Sequence, residues 1–364
     1  MKYSNVCIES LGYTIPDEIW TTEDIENRLE PLYTRLKLPV GRLELMTGIR
    51  ERRFWPREMR PSQLSIPSCQ RALAAAEFDA EKVGCLIHAS VCRDFLEPAT
   101  ACSVHHHLGL NPDCVIYDLS NACLGILNGM VQAANMIELG QVQAALVVGS
   151  EGGRQLVETT IKSLNADQSL TRKTIKNAIA SLTIGSASCA VLLVHRDISQ
   201  TGNAMLGAQV RANTQFHDLC QSDQDQAGSE MAPLMATDSN ELMMQGVQIG
   251  VDTFQPFLKN LGWTVDSIQR SFCHQVGSAH RKLMLEGLGL NPDIDHTTFE
   301  WLGNTGSAAL PITMAHGIEN QTVEPGMNVA MLGIGSGINC LMIGANWQKS
   351  LVKGGSLSDL VSTS

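Results

Sequence analysis

Short markers repeat in this chain at a near-constant separation. Ser90 stands 184 residues before His274, Asn121 stands 183 before Asn304, and Gly149 stands 184 before Gly333, while a Leu-x-Asn triplet occurs at 119–121 and again at 302–304. Such a repeat points to duplication of one unit. The unit has an α/β character: short strand-like apolar runs at 83–91, 114–119, 144–149 and 189–194 are separated by helix-length segments. Between the second and third runs, ACLGILNGMVQAANMIELG is apolar on almost every side and is ended by Gly140, which predicts a helix buried on all faces at the centre of the fold. The second half repeats the plan, with a run ending at His274, then TTFEWLGN ending at Asn304 before small residues that open a helix, then NVAMLGIGSG.

The duplication places an N-terminal half over 1–200 and a C-terminal half over 201–349. Residues of about 152–182 have no counterpart in the second half, and their mixed periodicity predicts a helical cap insertion on the first. The Ser-rich segment 350–364 is expected to be a disordered tail. A chain of 364 residues, 44% hydrophobic, has room for a buried active site. Its net charge of -11 argues against nucleic acid and anionic membranes, since basic residues cluster only at Arg50, Arg52 and Arg53. The 11 cysteines form neither C-x-x-C pairs nor Cys and His at zinc distances, so reduced thiols are expected, with no metal and no disulfide framework. No basic stretch leads into an apolar run at the N-terminus and no segment is long enough to span a membrane, so the expected location is the cytoplasm.

Cys123 follows a strand and opens the buried helix, with Ser120 or Asn121 as its cap. Unpaired N–H groups and the helix dipole favour a thiolate there, so a lowered pKa and a nucleophile are predicted. A cysteine among apolar residues is also an ordinary core residue, and the other ten are read so. What sets Cys123 apart is that the corresponding strand ends of the second unit carry His274 and Asn304. Singly these read as a core histidine and a helix cap. As a set, beyond the C-terminal ends of strands where open α/β sheets bind ligands, they read as a site. A neutral imidazole and an amide can both donate to an oxygen that turns negative in an enolate or a tetrahedral intermediate.

The strings DLSNACLGILNG, CHQVGSAH, LGNTGSAALP, TGIRERR at 47–53 and LGIGSGIN at 332–339 resemble the thiolase superfamily, within it the ketoacyl synthase III branch, over nearly the whole chain. That resemblance implies a thiolase-like five-layered α-β-α-β-α duplication, a homodimer and an acyltransferase. It implies that Cys123 accepts the acyl group and that His274 and Asn304 stabilise the enolate of the second substrate. The backbone N–H groups of Cys123 and of Gly337, next to Ser336, would form the first oxyanion hole. VCRDFLEPATA at 91–101 is similar to a loop of the members that join two fatty acyl-CoA molecules head to head in bacterial hydrocarbon (olefin) synthesis. In those members the loop's glutamate is the base. Here it is Glu97, acting in its own subunit or in its partner's. Without the resemblance, Glu97 reads as the ion-pair partner of Arg93 on a solvated loop. The implied reaction is a non-decarboxylative Claisen condensation to a β-keto acid or thioester, with no cofactor beyond the CoA of the substrate, and with downstream pathway enzymes as further partners.

Departures and rivals define the alternatives. The Trp and Arg that clamp the CoA adenine in decarboxylating synthases III are replaced by Arg42 and Met46, and HQAN reads HQVG. A decarboxylating synthase III needs no carboxylate base, so Glu97 discriminates against it. A degradative thiolase has its second Cys before a Gly-rich loop, whereas Cys340 lies after one. A non-catalytic partner subunit would have no need of Cys123, His274 and Asn304. GIGSG at 333–337 runs into a strand-like segment with no acidic partner, unlike a dinucleotide site, and His105, His106 and His107 read as a helix surface.

Overall fold

The computed structural model describes residues 1–222 and 235–359. Among these, the main sheet has strands β1 (Val6–Thr14), β2 (Cys85–Ala89), β3 (Val115–Leu119), β4 (Ala144–Glu151), β5 (Ala187–His195), β6 (Ala204–Ala212), β7 (Arg270–Cys273), β8 (Asn328–Gly335), β9 (Asn339–Asn346) and β10 (Val352–Lys353). The helices packed on it are α1 (Pro61–Ala75), α2 (Thr100–Leu108), α3 (Gly125–Glu138), α4 (Ser239–Leu261), α5 (Ser278–Leu288) and α6 (Ala309–Glu319).

Strand order is β7-β8-β9-β6-β1-β5-β4-β2-β3, with β10 alongside β1. From the middle outward the same plan appears twice, as β1-β5-β4-β2-β3 and as β6-β9-β8-β7, joined by the antiparallel pair Cys7–Ala204 and by the isolated antiparallel bridge Lys2–Gly207. In each half the inner pairings are antiparallel and the outer ones parallel. The helices repeat as well: a 3-10 turn at Ala122–Leu124 leads into α3, and one at Gly306–Ala308 leads into α6. Strand β4 is buried at every position, which is why 144–149 reads as a continuous apolar run rather than an alternating one, and β1 is equally buried although it carries Glu9, Ser10 and Thr14.

Three apolar clusters define the layers. Ile126, Leu127 and Met130 of α3 and Leu310, Ile312 and Met314 of α6 pack between the two halves of the sheet. On the outer faces, α1 and α2 cover the first half and α4 and α5 the second. The result is the five-layered α-β-α-β-α arrangement of the thiolase-like fold. Helix α3 is buried along most of its length, with Gln132 exposed. It ends where Gly140, at φ +70, donates its N–H to Ile137 O at 2.9 Å.

Two expectations need correcting. TTFEWLGN does not form a strand: Phe299–Leu302 is a helical turn, and at that edge the sheet keeps only an isolated bridge between Ser271 and Asp295. The Gln275 side chain decides this, because its Oε1 accepts from the N–H groups of Thr298 (3.1 Å) and Phe299 (3.3 Å) and so caps a helical turn. The segment 350–359 is ordered rather than disordered. Strand β10 runs parallel to β1, and Arg71, itself buried, donates to Gly355 O (2.9 Å) and Ser356 O (2.8 Å). Its Ser and Gly content described a loop, but the carbonyls have a buried guanidinium to bond. Residues 360–364 lie outside the described residues.

Residues 152–182 include helices at Arg154–Ala166 and Lys176–Leu182. Their apolar faces join Trp20, Ile25, Leu29 and Leu32 in a separate cluster. The stretch just beyond them, 183–185, reaches the candidate site.

Candidate active site

Cys123 lies in the 3-10 turn Ala122–Leu124, after β3 and just before α3 begins at Gly125. Ala122 has φ +45, an unusual value for a non-glycine residue, so the turn is tightly constrained. It is seated from two sides. Leu124 packs on β8 where glycines leave room: a Cβ on Gly333 would come within 2.7 Å of the Leu124 side chain, and one on Gly335 within 3.0 Å. On the other side, a Cβ on Gly125 would lie 3.2 Å from Ser307 Cβ, so the Cys123 turn abuts the turn that follows Asn304.

The thiol departs from expectation. Burial first, then the charge of Glu151 and that of Cys220, push the Cys123 pKa up to about 12, so the resting group is a protonated thiol and not a thiolate. The dipole contribution expected at a helix start is outweighed by desolvation of the thiol in its turn, although Cys123 as a residue is only half-buried. Activation therefore requires a proton acceptor.

His274 directly follows β7 and donates its backbone N–H to Leu332 O of β8 at 3.1 Å, next to the glycines that seat Leu124. It is buried, and burial with the neighbouring His280 pushes its pKa down to about 3. The imidazole is therefore neutral. Its Nδ1 has no partner among the described residues, and the same holds for the Nδ1 of His280, whose pKa burial lowers to about 4.

Asn304 is clamped by the chain just beyond the insertion. Its N–H donates to Thr183 O and its carbonyl accepts from Gly185 N–H, both at 2.9 Å. Only glycine permits this approach: a Cβ on Gly185 would fall 1.9 Å from Leu302 O, and one on Gly303, at φ +67, 2.5 Å from Thr183 O. Within the side chain, Oδ1 accepts from Gly306 N–H at 3.0 Å. That bond fixes the amide plane and leaves its NH2 group to meet an incoming oxygen.

Ser336 and Gly337 form the turn between β8 and β9, with Gly337 at φ +121. Asn339 Nδ2 donates to Ser336 O at 3.1 Å and to Asn121 Oδ1 at 3.4 Å, tying this turn to the residue two before Cys123. The structure thus gathers the turns that carry Cys123, His274, Asn304 and Gly337.

Glu97 is not gathered with them. It is exposed on the loop after β2, where Phe95 is 46% exposed and Leu96 54%. The loop is nonetheless held firmly at its base. Asp94 N–H donates to Thr100 Oγ1 at 3.1 Å, Asp94 Oδ1 accepts from Ser62 N–H at 2.9 Å, and Asp118 accepts the N–H groups of Thr100 and Ala101. An anchored loop with an apolar tip carries the carboxylate outward.

Sequence reasoning passed over Glu151, a fully buried carboxylate at the end of β4. The signal was present, because AALVVGSE ends an otherwise apolar strand on a charge at the C-terminal side of the sheet. Arg42 and Met46, where the resemblance puts a CoA clamp, instead line a small cavity of about 30 Å³ together with Leu38, Leu164 and Ile175. His105, His106 and His107 lie in α2, with His106 and His107 exposed, in keeping with a helix surface. Arg52 is wholly buried and donates to Thr22 Oγ1 and Leu182 O, both at 2.9 Å, a structural use that leaves no basic patch around it.

The protonation states define an expected outcome for His274→Ala. Condensation should fall ~100-fold or more, the usual cost of one oxyanion donor. Acylation should fall less and should recover as pH rises, because a thiol of raised pKa then ionises unaided. Rapid-quench mass spectrometry of acyl-enzyme and product separates the two steps. Equal loss in both at every pH would assign His274 a different role.

Comparison with known proteins places this geometry in a family. Two models of 3-oxoacyl-[acyl-carrier-protein] synthase III match, the N-terminal one over residues 117–214 and the C-terminal one over 258–347. An acyl-CoA:acyl-CoA alkyltransferase of Shewanella oneidensis is 39% identical, across 95% of this chain and 100% of its own length. A β-ketoacyl-[acyl-carrier-protein] synthase III of Natranaerobius thermophilus is 24% identical, across 96% of this chain and 99% of its own. The crystal structure of OleA from Xanthomonas campestris superimposes with a TM-score of 0.89 at 32% identity, covering 95% of this chain and 98% of that one. With the full length of its relatives matched and identity favouring the alkyltransferases over the synthases, the chain belongs to the ketoacyl synthase III-like branch of the thiolase superfamily, among the OleA-type condensing enzymes.

Proposed function

We propose that this enzyme joins two fatty acyl-CoA molecules head to head. The Cys123 thiol attacks the first thioester, its proton passing to the sulfur that departs as CoA, and an acyl-Cys remains. The second acyl-CoA gives up an α proton to Glu97, and its carbanion attacks the acyl-Cys carbonyl. Collapse expels the Cys123 sulfur, which takes the proton held by Glu97, and leaves a β-ketoacyl-CoA that water hydrolyses to a β-keto acid and CoA. His274 and Asn304 donate to the enolate oxygen, and the N–H groups of Cys123 and Gly337 to the first tetrahedral oxyanion. No cofactor enters, since CoA arrives with the substrate.

The observation that carries this reading is the anchored Glu97 loop. Decarboxylation of a malonyl donor generates its own carbanion, whereas an unactivated acyl-CoA needs a base. Solved OleA variants replace a cysteine in one and a glutamate in another, and that glutamate stands as far before that cysteine as Glu97 stands before Cys123. Because Glu97 is exposed with an apolar tip around it, it acts in the site of a second copy of the chain. The half-buried edge strand β3, with no neighbour on one side among the described residues, supplies the surface for that copy. Among the described residues no helix is long and apolar enough to cross a membrane.

The test is to supply one saturated acyl-CoA with no malonyl donor and weigh the product. The expected mass is that of a β-keto acid containing two acyl chains. Turnover only with malonyl donor would transfer the protein to the decarboxylating synthases.

A further inference from the structure

Glu151 is 5% exposed at the end of β4, and every group aimed at its carboxylate is a donor. Oε1 accepts from Val91 N–H at 3.0 Å, Ser307 N–H at 3.2 Å and Ser307 Oγ–H at 2.6 Å. Oε2 accepts from Cys92 N–H at 3.3 Å. Val91 and Cys92 begin the loop that carries Glu97, and Ser307 lies in the turn after Asn304. Gly306, at φ +55, lets that turn close on the carboxyl group, for a Cβ there would sit 3.1 Å from Glu151 Cγ and Cδ. Trp55 Nε1–H, bonded to Glu151 O at 2.9 Å, fixes the backbone of the residue itself.

A buried carboxylate is costly unless its lone pairs are used, and packing alone calls for no charge at this place. We propose that Glu151 is a positioning residue, whose single carboxylate holds the Glu97-bearing loop and the Asn304-bearing turn in fixed relation around Cys123. The inference rests on the roles proposed above for Glu97 and Asn304. Both groups serve the second half-reaction, so one clamp sets the geometry of enolate formation and of enolate stabilisation together. Burial pushes the pKa of Glu151 up against the pull of its donors, and in its ionised form its charge opposes ionisation of the Cys92 and Cys123 thiols, the titratable groups in its field.

Two variants of the full-length enzyme separate charge from reach. Glu151→Gln removes the charge and turns an NH2 toward donors that need an acceptor. Glu151→Asp keeps the charge but shortens the reach by one methylene. Both should speed amide hydrogen exchange at Val91, Cys92 and Ser307 by about tenfold or more, and lower kcat for condensation by a similar factor with little change in the acylation step. The pH midpoint for alkylation of Cys123 by iodoacetamide, followed on its own peptide by mass spectrometry, should move to lower pH in Glu151→Gln and stay put in Glu151→Asp. That split reads the charge of Glu151, whereas condensation falling while acylation holds reads its positioning role, which a merely structural residue would not give. Unchanged exchange at Val91 and Cys92 in both variants would overturn the proposal, as would acylation and condensation falling by the same factor. If Glu151→Gln does not fold, the exchange and kinetic arms are read on Glu151→Asp. A failure of Glu97 as base would appear in Glu97 variants and would leave the exchange and alkylation results intact.

Discussion

Glu97→Gln is expected to acylate Cys123 at close to the wild-type rate and to lower condensation by ~100-fold or more, the usual contribution of a positioned base. The change keeps the size of the side chain and removes its basicity. The competing base is His274, and its protonation state decides against it: burial and His280 hold its pKa at about 3, so the imidazole is a poor acceptor for an α proton and a suitable neutral donor to the enolate oxygen. Single-turnover experiments with a saturated acyl-CoA give the acyl-enzyme by intact mass and the condensed product by chromatography. Condensation by Glu97→Gln at the wild-type rate would sink the head-to-head reading.

Cys123→Ala should abolish turnover altogether, and no acyl mass should appear on the protein. An acyl group recovered on one of the other ten cysteines would remove Cys123 from the mechanism. The same variant tests whether the site is shared. In a mixed dimer of Cys123→Ala and Glu97→Gln, a base acting across the interface leaves one intact site, assembled from the cysteine of one chain and the glutamate of the other. A base acting within its own chain leaves none. Co-expressed variants that are each inactive alone should therefore recover roughly a quarter of wild-type condensation, because half the dimers are mixed and each has one good site. No recovery, with mixed dimers demonstrated by mass, would place Glu97 in the site of its own chain.

The duplication was readable from three markers because each occupies a place where the fold tolerates few residue types. Gly149 is the clearest case: a Cβ there would come within 2.4 Å of Ala89 O, so close packing of β4 on β2 demands glycine. Cys123, His274 and Asn304 were legible for a related reason, since polar groups at the edge of an apolar sheet need an explanation. The strand expected before Asn304 was not legible as a turn, because its apolar run satisfies either assignment. The choice fell to Gln275, a side chain 23 positions before Thr298 in the chain.

Local pattern settled where strands run, which helix is central and which side chains could react, because period and polarity are properties of neighbours along the chain. The state of those side chains is different in kind. A helix start favours a thiolate in isolation, but the half-buried Cys123 is desolvated in its turn and lies in the field of Glu151, so its proton stays on. The carbonyls of 350–359 find Arg71, the Asn304 backbone finds 183–185, and Glu97 is carried to the surface. Desolvation, charge at close range and hydrogen-bond partners from distant segments arise only when the chain has closed on itself, and it is they that assign each reactive group its proton and its place.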